Sequence, residues 1–136
     1  MPKSEILTQA LVCFGDPARR ESYFDLYSDD IVLHGYQGVE PGLASVKAFY
    51  YSQIWAPFPD AAVLLEETLE VGDKLVVRFK MTGTHQGPFL GVPATGKAIV
   101  MPGITVLRFE AAKCVERWSC ADFLGVLAQL GAFPPA

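Results

Sequence analysis

This sequence predicts an α+β domain, with helices first and a strongly bent meander of long strands after them. Two patterns and their punctuation carry the prediction. Apolar residues up to about position 55 mostly recur at helical spacing, whereas from position 61 onward the pattern is that of β-strands. Turn-forming pairs such as Pro41-Gly42 and Gly72-Asp73 separate the runs.

Ser4 can cap a first helix whose apolar face holds Ile6, Leu7, Ala10, Leu11 and Phe14. Gly15 to Pro17 ends it and opens another, with Asp16 as cap, Pro17 at the first helical position, and Tyr23, Phe24 and Leu26 following. Residues 30–36 read as a short strand, Ile31, Leu33 and Gly35 on one face and Val32, His34 and Tyr36 on the other. A helix over 43–55 carries the stripe Leu43, Val46, Phe49, Tyr50 and Ile54, and Pro57 and Pro59 stop it. Residues 61–71 pair with 74–85 through Gly72-Asp73, a hairpin dipeptide. Leu75, Val77, Phe79, Met81 and His85 share one face of the second of these strands. Residues 87–96 form a loop. The nearly continuous apolar run over 98–109 predicts a central strand buried on both faces, with a bulge or bend at Pro102-Gly103. A turn at 110–112 leads to a last strand over 113–120. A closing helix over 122–130 ends at Gly131.

At 136 residues the chain is one domain by length, and 51% hydrophobic residues suffice for one core without metal or disulfides. The formal net charge of -4 and the lack of a Lys/Arg-rich run argue against a nucleic-acid surface. No apolar run reaches the roughly 18 residues that a membrane span needs. Residues 1–5 lack the apolar core of a signal peptide. Three cysteines, Cys13, Cys114 and Cys120, with no C-x-x-C pair, fit reduced thiols in the cytoplasm.

Most familiar chemistries fail on inspection. Gly91 to Ala98 nearly spells a phosphate-binding loop, yet Ala98 replaces the Ser or Thr, Pro93 removes an amide, and a strand follows instead of a helix. Only two histidines exist, His34 and His85, neither with a second ligand at metal spacing. The cysteines read as small core residues more than as nucleophiles. Acid–base chemistry remains. On the last strand Cys114, Glu116, Trp118 and Cys120 point one way, and the opposite face carries Lys113 and Arg117, so the Trp118 face is expected inside. Glu116 would then sit near a tryptophan with its carboxyl pKa raised by desolvation. Asp122 follows at the rim, where it is equally suited to cap the closing helix. His34, Tyr36 and His85 could converge on the same space if the sheet curls.

Three segments carry a resemblance: Ala56-Pro-Phe-Pro-Asp60, Thr82-Gly-Thr-His-Gln-Gly-Pro-Phe-Leu-Gly-Val-Pro-Ala-Thr-Gly-Lys97, and Val115-Glu-Arg-Trp-Ser-Cys-Ala-Asp122 with Gln129-Leu-Gly131. Together they resemble the SnoaL-like polyketide cyclase (ester cyclase) family of the NTF2-like superfamily. The resemblance implies a cystatin-like cone: helices on a curved, mixed but mostly antiparallel sheet enclosing an apolar pocket, usually dimeric through the sheet. It also implies intramolecular aldol cyclisation without metal or cofactor, with Asp122 at the position of the catalytic aspartate, four residues past the strand tryptophan. The place of the family's strand histidine falls here near Arg108 or Val106.

The expected function is therefore acid–base conversion of an apolar, carbonyl-bearing small molecule, with Asp122 as base and His34 or His85, or a water they hold, as proton donor. Tyr36, Phe49, Ile54, Trp55, Met81, Phe89, Met101, Arg108, Glu116 and Trp118 are the expected pocket groups. A non-catalytic carrier of the same fold, or an isomerase or hydrolase, is the alternative.

Overall fold

The computed structural model describes residues 1–132. Helix α1 (Lys3–Phe14) is followed by a short α2 (Arg20–Tyr23), a 3-10 turn (Phe24–Leu26), strand β1 (Tyr27–His34) and helix α3 (Leu43–Phe49). The chain from Tyr50 to Trp55 continues α3 as a π-helix, so the expected 43–55 helix exists with a widened last segment. Strands β2 (Ala62–Val71), β3 (Lys74–Thr84), β4 (Ala98–Glu110) and β5 (Lys113–Ala121) come next, and α4 (Phe123–Gln129) closes the chain.

The five strands form one sheet in the order β1-β5-β4-β3-β2; β1 runs parallel to β5 and every other pair is antiparallel. Helices cover one face, and Leu7, Phe14, Val46, Ile54, Leu75 and Leu107 belong to the single core cluster between the two layers. Where β5 ends, Gln129 of α4 takes its place: its side-chain amide pairs with both backbone groups of Val100, at 2.8 Å each.

Several local expectations shift. Pro2, not Ser4, starts α1, and no side chain caps it. Asp16 accepts the Ala18 amide at 3.0 Å, but the helix begins only at Arg20. β4 is not buried on both faces: Ile99, Met101, Thr105, Leu107 and Phe109 are buried, while Val100 and Ile104 are 42% and 54% exposed. Pro102-Gly103 is no bulge, since β3 and β4 keep continuous register through it. Gly103 is needed for closeness, because a Cβ there would lie 2.5 Å from Phe79 Cζ.

The register shifts elsewhere, between β1 and β5, between β2 and β3, and in β5 against β4, and the last of these sets the pocket's polarity. Arg108 pairs with Glu116 but Phe109 with Cys114, so Val115 is an extra residue. Strict alternation from the buried Cys114 would bring Glu116 and Trp118 inside. The extra residue reverses that phase, and Arg117, Ser119 and Ala121 face the helices instead.

Candidate functional site

Between the helices and the sheet lies a cavity of about 540 Å³. Its walls are mainly apolar, with Leu7, Phe49, Ile54, Val77, Met81 and Met101 among them. The exposed residues Gln37, Gly38, Ser52, Gln53 and Leu90 also line it and mark its mouth.

The interior polar end is built around Arg117, which is 8% exposed. Its Nε donates to Thr105 Oγ1 at 2.9 Å, and its Nη1 donates to Tyr27 Oη at 2.6 Å, with Tyr23 and Tyr50 oxygens at 3.2 and 3.4 Å. The three phenols touch one another at 2.7–3.1 Å. A ring in which each hydroxyl donates to the next leaves lone pairs turned toward the guanidinium, which thereby receives a shell of neutral oxygens. Burial raises the pKa of Tyr23, Tyr27, Tyr36 and Tyr50, with the Arg117 charge only partly opposing it, so these phenols keep their protons at neutral pH.

Counting protons orders the rest. Thr105 Oγ1 lies 2.9 Å from the Trp118 carbonyl, which only accepts, so Thr105 donates there. Ser119 Oγ, 2.7 Å from Thr105 Oγ1, then donates to Thr105, and Tyr36 Oη, 2.7 Å from Ser119, donates to Ser119. Tyr36 reaches this position because Gly35 reverses the strand's alternation. Gly35 adopts φ +86°, and a Cβ on it would meet Ser119 O at 2.1 Å. Tyr36 consequently faces the cavity and not, as alternation predicts, the His34 side.

The expected site residues divide accordingly. Tyr36, Phe49, Ile54, Met81, Phe89 and Met101 line the cavity. Trp55 is buried among Phe14, Tyr50 and Tyr51, outside the lining. Glu116, Trp118, Arg108 and His34 stand on the opposite face of the sheet. There the His34 ring stacks on Trp118 at 5.3 Å, His34 Nε2 lies 2.7 Å from Glu116, and Arg108 Nε donates to Glu116 at 3.2 Å. The hydrogen bonds from His34 and then Arg108 outweigh partial burial and hold the Glu116 carboxyl below its ordinary range, the reverse of the expected rise.

His85 is fully buried against Phe58. Its Nδ1 accepts the Thr95 amide at 3.2 Å, which leaves the ring proton on a buried, unpartnered Nε2. It ties the 85–97 loop together through backbone bonds to Lys97 and Gly96. Asp122 is exposed, and its Oδ1 accepts the Gly125 amide at 2.8 Å as the cap of α4. Its neighbours Ala121 and Phe123 line the cavity, so Asp122 sits at the cavity's edge over its own helix. Sequence reasoning missed Arg117, Thr105, Ser119 and the tyrosine trio. The i, i+4 spacing of Tyr23 and Tyr27 was their one visible signal.

Among the described residues, no three His, Cys, Asp or Glu side chains come together as metal ligands, and no helix is long and apolar enough to cross a membrane.

The model of one protein family, SnoaL-like polyketide cyclase, matches residues 6–130. Solved structures of similar fold include a candidate polyketide cyclase from Acidithiobacillus ferrooxidans (29% identity, 95% of this chain and 94% of that one, TM-score 0.81). TsrD from Streptomyces laurentii is 27% identical over 96% of both chains, with TM-score 0.80. IdmH from Streptomyces antibioticus, a candidate polyketide cyclase, is 26% identical over 96% of this chain and 99% of its own, with TM-score 0.82. No curated protein sequence matches significantly.

Proposed function

The chain belongs to the SnoaL-like polyketide cyclase family, and from that premise we propose that it converts an apolar carbonyl compound by cofactor-independent acid–base chemistry, as in an intramolecular aldol closure. The observation that carries this reading is the cavity itself: about 540 Å³, apolar along its walls, polar at one interior end, with Asp122 at its edge. The Asp122 carboxylate takes a proton from a carbon flanked by carbonyl groups. The enolate carbon attacks a second carbonyl of the same molecule, and the new alkoxide recovers the proton from the Asp122 carboxyl, so no external donor is required. The walls fold the chain into the reactive shape and exclude water. Neither histidine is assigned a step, since neither belongs to the lining.

The testing experiment is Asp122→Asn with an apolar β-dicarbonyl substrate, followed by appearance of cyclised product. Loss of product with retained ligand binding supports the base. Unchanged turnover removes it.

A second reading, a non-catalytic carrier, is favoured by one observation: among the described residues, no carboxylate or imidazole belongs to the cavity lining. It predicts saturable binding without product.

The proposal extends to assembly and place. The outer face of the sheet exposes Leu69, Val100 and Ile104 around the half-buried Trp118, an apolar surface suited to a second copy. The thiols of Cys13, Cys114 and Cys120 are all unpaired, in keeping with a reducing cytoplasm.

A further inference from the structure

The guanidinium of Arg117 is a buried cation without a counter-charge among the described residues. No carboxylate of the described residues comes within 4.0 Å of it. Its Nε and Nη1 are fully engaged with neutral oxygens, whereas Nη2 has no hydrogen-bond partner among the described residues. Nη2 is also not among the buried polar atoms sealed from solvent without a partner, and Arg117 lines the cavity. Its free N–H groups are therefore open to the cavity. Arginine does not lose its proton at any ordinary pH, so the charge persists whatever fills the cavity. Taking such a charge out of water is costly unless something of opposite sign meets it. The tyrosine shell softens the cost but supplies no negative charge.

The geometry points to an anionic ligand: an elongated apolar molecule whose carboxylate, or equally acidic enol oxygen, pairs with Arg117 Nη2 at the interior end of the cavity. This rests on the small-molecule reading of that cavity and adds the substrate's charge and orientation to it. Along β5, Asp122 lies five residues beyond Arg117, roughly 16 Å at the strand rise of about 3.3 Å per residue. The anionic end is thus the anchor, and the carbon that reacts lies toward the other end. Arg117 acts as a binding and positioning residue. Ser119 and Tyr36, whose protons are already directed inward along their chain, leave Tyr36 lone pairs for a hydroxyl beside the anion.

The test compares 2-naphthylacetate with the neutral 2-naphthylacetamide by calorimetry on the wild-type protein. The carboxylate is expected to bind at least about tenfold tighter, a difference of about 1.4 kcal/mol. In Arg117→Met, with folding checked by circular dichroism, the two probes are expected to bind alike, and Arg117→Lys is expected to keep part of the preference. Equal affinities in the wild type, or no binding of either probe, overturn the inference even if Arg117→Met does not fold. So does a preference that survives Arg117→Met, which would put the anion elsewhere. The base assignment fails separately: wild-type turnover in Asp122→Asn with the anion preference intact discards only the base. Loss of turnover there, without any anion preference, discards only the anchor.

Discussion

Asp122 Oδ1 accepts the Gly125 amide at 2.8 Å, and the same carboxylate packs so closely over that turn that a Cβ on Gly125 would meet Oδ2 at 2.2 Å. Cap and proposed base are one group, and two substitutions separate them. Asparagine caps about as well as aspartate, so Asp122→Asn is expected to leave the melting temperature nearly unchanged while removing the base. Asp122→Ala is expected to cost about 1 kcal/mol in addition. Thermal melts of both variants beside a product assay decide. Equal destabilisation with full activity would leave only the cap.

Gly35→Ala is expected to destabilise by roughly 2–3 kcal/mol, from the strained positive φ and the collision with Ser119 O. The same change displaces Tyr36 from Ser119, so ligand affinity falls with stability. Urea midpoints and probe titration measure the two losses. A midpoint at the wild-type value contradicts the packing described.

The His34–Glu116 contact gives an acid limb to stability. The Glu116 carboxyl lies below its ordinary value near 4.5 in the folded protein. Its contribution is thus complete above that value and is lost as pH falls through the lower folded one. Denaturant midpoints of wild type and Glu116→Gln are expected to differ most near neutrality and to converge as pH falls below 4.5. A gap that stays constant with pH would show that the carboxylate charge contributes nothing.

Ile104→Glu tests the outer sheet face. Ile104 is 54% exposed and the variant's fold needs no rearrangement to accept it. Light scattering is expected to show a dimer for the wild type and a monomer for the variant, with little change in circular dichroism. A wild-type monomer at all concentrations ends the dimer proposal.

Thiol labelling is expected to run in two phases. Cys120 is exposed on the single chain beside Ile104, and in the monomeric Ile104→Glu variant it reacts at once. Cys13 and Cys114 are buried, and burial pushes the Cys114 thiol up to about 11, so both await opening of the core. Mass spectrometry after brief alkylation reads the sites directly.

Much of the architecture was legible because it follows periodicity. The 43–55 stripe, the Gly72-Asp73 hairpin and the alternation Leu75, Val77, Phe79, Met81 stand where the pattern puts them. The candidate site was legible only in its apolar part. Phe49, Ile54, Met81, Phe89 and Met101 follow from pattern, but the polar end depends on two breaks in alternation. Gly35 turns Tyr36 inward, and Val115 turns Arg117 inward. Glycine's freedom is at least written in its letter. Nothing marks Val115 as the odd residue, and the general aversion of cores to cations argued for the wrong side of β5. Of the two readings of Asp122, the cap was legible from its place before the closing helix, and the Gly125 amide meets its Oδ1 there.

Val115 also makes the strand a counting device. Remove that one letter, and Cys114 would pass straight to Glu116 in plain alternation: both would keep their partners Phe109 and Arg108, and the guanidinium would stay inside. A single-codon deletion would thus straighten the strand and spare the pocket's polarity, whereas one inserted codon in regular pairing would put indole and carboxylate inside.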